Sequence, residues 1–159
     1  MLDQLLLADS LQKPAEDREI AKAEKVLGVS LPTDFLDLMK ISNGGYVNYE
    51  KRAFPVDFSL ESGDVFIEVE EIMGIDKEGI LLSEYLAEEW DLPKNIVLFS
   101  GSGHAWVGFN YDGRDIPNIV YVEPDDGDGN NFHVIAETFT EFVSKLDDPE
   151  KYIEDIDFE

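Results

Sequence analysis

Leu27-Gly28-Val29-Ser30-Leu31-Pro32-Thr33-Asp34-Phe35-Leu36-Asp37-Leu38-Met39-Lys40-Ile41-Ser42-Asn43-Gly44-Gly45 reads as a short helix with both ends written into the sequence. Gly28 can close a preceding helix. Pro32 suits a first helical position, because the N–H it lacks would find no partner there. Phe35, Leu36 and Met39 recur at helical spacing, and Lys40 falls in the last turn, where a cation complements the helix dipole. Asn43-Gly44-Gly45 tolerates positive φ and lets the chain leave the helix sharply. None of these residues is a nucleophile, a metal ligand or a phosphate cradle.

Working outward from that helix, a preceding one is expected from Pro14 to Leu27, with Ile20, Ala23, Glu24 and Leu27 on one face and Glu24 interrupting its apolar stripe. Downstream, Tyr46 to Tyr49 reads as a short strand. Residues Asp64 to Glu70 alternate, with Val65, Ile67 and Val69 on one side and Asp64, Phe66, Glu68 and Glu70 on the other, the pattern of a half-buried strand. A helical stretch from Ile80 to Glu89 stops at Asp91-Leu92-Pro93. Ile96 to Phe99, His104 to Tyr111, Ile119 to Val122 and Phe132 to Ile135 then read as four strands. Ser100 to Gly103 and Asp112-Gly113 turn the chain between them, and Asp125 to Asn131 is a polar loop. In the last helix Thr138 and Glu141 form a capping box, and Phe139, Phe142, Val143 and Leu146 share one face. The order predicts one α+β domain over residues 1–146, followed by an acidic tail over residues 147–159.

The chain has 159 residues, 43% of them hydrophobic, with ten Phe, six Tyr and two Trp. That is enough to bury a single core. No apolar run approaches the roughly 20 residues a spanning helix needs. The N-terminus lacks a basic segment followed by an apolar one, so no secretory leader is expected. With no cysteine, disulfides and thiolate metal ligands are excluded, and a reducing, cytoplasmic setting fits. Thirty-six Asp and Glu face twelve Lys and Arg, a formal net charge of −24. Direct binding to nucleic acid or to an anionic membrane needs a basic face and is not expected. A basic protein would be attracted; the same acidity also serves solubility.

Motifs for chemistry fail on spacing. Gly101-Ser102-Gly103 would need a third glycine at Trp106 and a following helix to cradle a dinucleotide. Neither Ser100 nor Ser102 has the flanking glycines of a nucleophile elbow. Asp126, Asp128, Asn130 and Glu137 match a calcium loop at positions one, three, five and twelve. Asn131 replaces the glycine at position six, however, and strands rather than helices flank the segment. His104 and His133 have no spacing suited to zinc. Adjacent carboxylates such as Glu70-Glu71, Glu88-Glu89 and Asp125-Asp126 carry little information in so acidic a chain. No catalytic group, metal or cofactor is expected.

Three stretches in order resemble the SUKH superfamily. They are the Leu27-Gly28, Leu31-Pro32, Phe35 and Asn43-Gly44-Gly45 series, the turn Ser100 to Trp106, and the Ala136-x-x-Phe139-x-x-Phe142 helix. The resemblance spans about residues 15 to 146. It implies an α+β fold with a central sheet and no catalytic residues. Bacterial members are typically small cytoplasmic antidotes to nuclease or other toxin domains, whereas fungal relatives are regulatory scaffolds linked to cell-wall synthesis. The expected partner is therefore a basic toxin domain, with a regulatory interaction module as the alternative; the oligomeric state is left open. Contacts are expected from Asp112, Asp115, Asp125, Asp126 and Asp128 in loops beside the late strands. Glu88, Glu89 and Trp90 are the next candidates, although Trp90 also fits a place in the core.

Overall fold

The computed structural model describes residues 2–60, 62–102, 105–123 and 131–153. Its centre is a four-stranded antiparallel sheet of β5 (Ile96–Ser102), β6 (Ala105–Asn110), β7 (Asn118–Glu123) and β8 (Asn131–Ala136), in that spatial order. Two small hairpin-like sheets precede it: β1 (Gly45–Tyr46) with β4 (Glu71–Ile72), and β2 (Ala53–Pro55) with β3 (Phe66–Glu68). Helices α1 (Asp17–Leu27), α2 (Thr33–Met39), α3 (Ser83–Glu89), α4 (Phe139–Ser144) and α5 (Glu150–Ile153) complete the α+β fold.

The opening segment folds largely as its sequence dictates. Helix α1 starts at Asp17 rather than Pro14, because Glu16 and Glu19 exchange side-chain and backbone bonds as a reciprocal cap. The N–H of Ala15 is meanwhile spent on Met39 O at 2.9 Å. Gly28 ends α1 in the left-handed region at φ +73°. Pro32 sits one position before the first helical residue of α2. Asn43 and Gly44 do more than stop that helix. Asn43 Oδ1 accepts the N–H of Ile75 at 2.6 Å, and a Cβ on Gly74 would lie 2.4 Å from Asn43 O. A clasp between two distant loops thus fixes the approach to β4.

Both faces of the sheet are covered. On one, Phe35 of α2 meets Phe109 and Phe139 edge-on at 5.1 and 5.3 Å between ring centroids. Phe99 reaches Phe142 at 5.4 Å. Such tilted pairs add to the burial each ring provides. All of Phe139, Phe142, Val143 and Leu146 are buried, as their spacing predicts. Thr138 Oγ1 caps Glu141 N at 3.0 Å, but the Glu141 carboxylate takes the N–H of Glu137 instead of closing the box on Thr138. Asp34 binds both the N–H and the hydroxyl of Thr140, at 2.8 and 2.9 Å, joining the starts of α2 and α4. On the other face, Leu86 and Ala87 of α3 cover Ile96, Leu98, Trp106, Val120 and Val122.

Several expected elements shift. The strand foreseen over Tyr46 to Tyr49 ends at Tyr46, and a single 3-10 turn follows at Tyr49–Lys51. Val47 continues as an isolated bridge to Leu6. Of the alternating stretch Asp64 to Glu70 only Phe66–Glu68 is strand, β3, and β4 begins just past its end; Val65 is exposed while Ile67 and Val69 are buried. Ile80–Leu82 is a 3-10 turn leading into α3. Strand β5 continues through Ser102 across a bulge between Leu98 and Ser100, because a buried Ser100 keeps the ladder where a turn was expected. The segment after Leu146 is tied down at its start: Asp147 pairs with Ala53, and Tyr152 packs against Phe66 at 5.8 Å.

Candidate functional site

Two concave regions flank the sheet. The larger, about 1260 Å³, lies between the end of α1, helix α3 and the β6–β7 turn. Glu88 and Asp115, two of the residues foreseen from sequence, line it. Asp112 sits on the adjoining turn, where Asn95 Nδ2 donates to its carboxylate at 3.2 Å. Glu89 and Trp90 lie at the end of α3. There Tyr85 OH donates to Glu89 at 3.2 Å, and Trp90 is 38% exposed. Those five residues therefore gather at one end of the molecule. Asp125, Asp126 and Asp128 fall outside the described residues, as do His104 and most of the calcium-loop pattern.

Charge in this groove is mixed. Glu24, Glu84, Glu88, Asp91 and Asp115 alternate with Lys25, Lys94 and Arg114. Its floor is structural. Tyr111 OH donates to Ser30 O at 2.6 Å, and burial together with the nearby Glu24 pushes that phenol well above the ordinary tyrosine range. Glu24, the residue that interrupts the α1 stripe, accepts the N–H of Leu31 at 2.7 Å. Ser83 Oγ takes Leu98 N at 2.9 Å and donates to Ile80 O at 2.6 Å, seating α3 on β5.

The second concavity, about 750 Å³, opens between β3 and the ends of β5, β6 and β7. Asp64, Glu68, Glu70, Glu71 and Glu123 line it, with no Lys or Arg among the described lining residues. Its apolar surface comes from Leu60, Phe66, Val107 and the rings of Tyr46 and Tyr121. Glu123 is the deepest carboxylate, 6% exposed, and accepts Tyr121 OH at 3.0 Å. Glu71, in the wall, is pushed above its ordinary value of 4.5, first by lost hydration and then by the like charges of Glu70 and Asp76. A wall that raises the cost of its own negative charge is suited to receiving a positive one.

The carboxylates are dispersed rather than convergent. Among the described residues, no group of three or more His, Asp or Glu side chains could hold a metal ion. His133 stacks on Phe58 at 3.8 Å between centroids. Acceptors spread along an apolar trough match several ammonium or guanidinium groups better than one ion. Sequence reasoning did not single this cleft out. Its trace was the polar side of the Asp64 to Glu70 alternation, but the partners Tyr121 and Glu123 come from a strand more than fifty residues away.

A sequence model of the SMI1 / KNR4 family (SUKH-1) matches residues 14–145 of the chain. No curated protein matches it. The match takes in α1 to α4, both concave regions and the Asn43 clasp. Among the described residues, no helix is long and apolar enough to cross a membrane.

Proposed function

The chain belongs to the SMI1 / KNR4 family (SUKH-1), and on that premise we propose that it is a non-enzymatic antidote that binds and neutralises a basic toxin domain in the cytoplasm. Bacterial members of the superfamily typically act in this way. The observation that supports it best is the cleft beside β3, which carries five carboxylates and no base among its described lining residues. Toxins that cut nucleic acids need positive surfaces to hold phosphates. An acidic trough on a chain of net charge −24 attracts such a surface from a distance and obstructs it on contact. The groove beside α3, with Glu88, Glu89, Trp90, Asp112 and Asp115 around it, serves as a secondary contact. Its interleaved lysines and arginine weaken its pull on a cation.

The test is affinity capture from the native cells at moderate salt, followed by an activity assay on any toxin domain recovered. The expected result is a polypeptide with a basic toxin domain that loses its activity when this protein is added in stoichiometric amount. Capture of cell-envelope or housekeeping factors, with no toxin inhibited, would favour the regulatory scaffold instead.

A further inference from the structure

The cleft has a second property, independent of its charge, in the backbone of β3. In an antiparallel pair, alternate residues turn their N–H and C=O toward the partner strand. Val69 N donates to Arg52 O at 2.7 Å and Val56 N to Val65 O at 3.1 Å, and the register places Ile67 opposite Phe54. Residues 65, 67 and 69 therefore spend their main-chain groups on β2. Phe66 and Glu68 point theirs the other way, toward the cleft they line.

The neighbouring edges are closed. On the outer side of β2, Ala53 and Asp147 exchange two bonds at 2.9 and 2.8 Å. Just past β3, Glu70 O accepts Val47 N at 2.9 Å. Between these closures the N–H and C=O groups of Phe66 and Glu68 have no partner among the described residues. An open strand edge thus forms one wall of the acidic trough.

The geometry points to β-strand addition: the edge at Phe66–Glu68 receives an extended, basic segment of a protein partner, paired antiparallel to β3 as the described strands pair with one another. Main-chain bonds to Phe66 and Glu68 supply the affinity, and the trough selects side chains that alternate along the added strand. Basic residues on that strand meet Asp64, Glu70, Glu71 and Glu123. A second copy of this chain is a poor occupant, since its own β3 would bring Asp64, Glu68 and Glu70 against their duplicates. This inference rests on the antidote reading for the identity of the partner, but not for its test.

The probe is a synthetic peptide of alternating Lys and Val, together with two versions N-methylated on alternate residues, one for each edge of the strand. Binding is measured at low salt, and amide exchange of Phe66 and Glu68 is followed by NMR. The expected result is that the unmodified peptide and one methylated version bind. The other version loses at least tenfold, and the two amides slow on binding. Glu68→Gln loses only a carboxylate of the trough and should weaken binding modestly. Glu68→Pro loses in addition an N–H that β2 does not use, so it should abolish binding while thermal unfolding stays near wild type. If that variant misfolds, the methylated pair still decides. Equal binding of both methylated peptides would overturn strand addition in favour of charge alone, and absence of binding by any peptide would overturn it outright. Either failure leaves the toxin-inhibition assay to judge the antidote reading separately.

Discussion

The groove beside α3 and the cleft beside β3 are both concave and both rich in carboxylates, yet they differ in where the bases go. The chain has only twelve Lys and Arg; Lys25, Lys94 and Arg114 stand in the groove and none is among the described residues that line the cleft. Overall acidity is therefore a poor guide to a binding face, because both regions carry several carboxylates. The lack of Lys and Arg among its described lining residues, combined with the edge of β3 at Phe66 and Glu68, separates the cleft from the groove.

The largest effect expected from this difference is on association. Reversing Glu68 and Glu70 to lysine should slow binding to a basic toxin partner about 100-fold at low salt, within the range that steering supplies. The same reversal at Glu84 and Glu88, in the groove, should cost no more than about threefold, because bases already offset those charges. Stopped-flow association at two ionic strengths measures both. Raised salt should compress the gap, since exposed charges are screened beyond about 8 Å under physiological conditions. Equal slowing by the two pairs would erase the distinction between the regions.

A second pair of changes tests the frames. Gly74→Ala drives a Cβ into the backbone of Asn43, 2.4 Å away, and should cost about 1–3 kcal/mol through overpacking. Ser83→Ala leaves the buried N–H of Leu98 without its acceptor and should cost about 1–3 kcal/mol as well. Denaturant unfolding should give losses of similar size for both. Only Gly74→Ala should also slow partner binding, because its clasp sets the approach to β4 and Glu71 in the cleft wall. Slowing by Ser83→Ala alone would move the functional face to the groove.

Much of this fold was legible because its decisions are local. Thr138 caps the residue three ahead, Gly28 takes the left-handed turn, and the α4 stripe buries Phe139, Phe142, Val143 and Leu146. The Asn43 clasp was read only as a helix stop, since its partner Ile75 is thirty-two residues away. The cleft was hidden for the same reason. Its wall and floor come from segments on either side of α3, and no spacing rule connects Glu68 with Glu123. Residues near turns, such as Asp112 and Asp115, drew attention because loops announce themselves in composition. An open strand edge does not: it becomes visible only when the register shows which amides β2 has left unused.

The smallest expected effect concerns what the cleft costs the fold. The Glu71 carboxyl is held above its ordinary value of 4.5 by lost hydration, by Glu70 and by Asp76. Its charged form is therefore less favoured in the folded chain than in the unfolded one, and at neutral pH that difference opposes folding. Glu71→Gln should make the protein modestly more stable at pH 7. The gain should shrink as pH falls through the raised value. Below 4.5 it should vanish, where the carboxyl is protonated in both states. Thermal unfolding of the two proteins across that window gives the sign directly. The same substitution should slow association with a basic partner, because it removes one of the uncompensated charges in the wall. A gain in stability joined to a loss in association is the pattern of a residue retained for binding at the expense of folding. Loss of both would instead make Glu71 part of the framework, and the cleft would then be no more specialised than the groove.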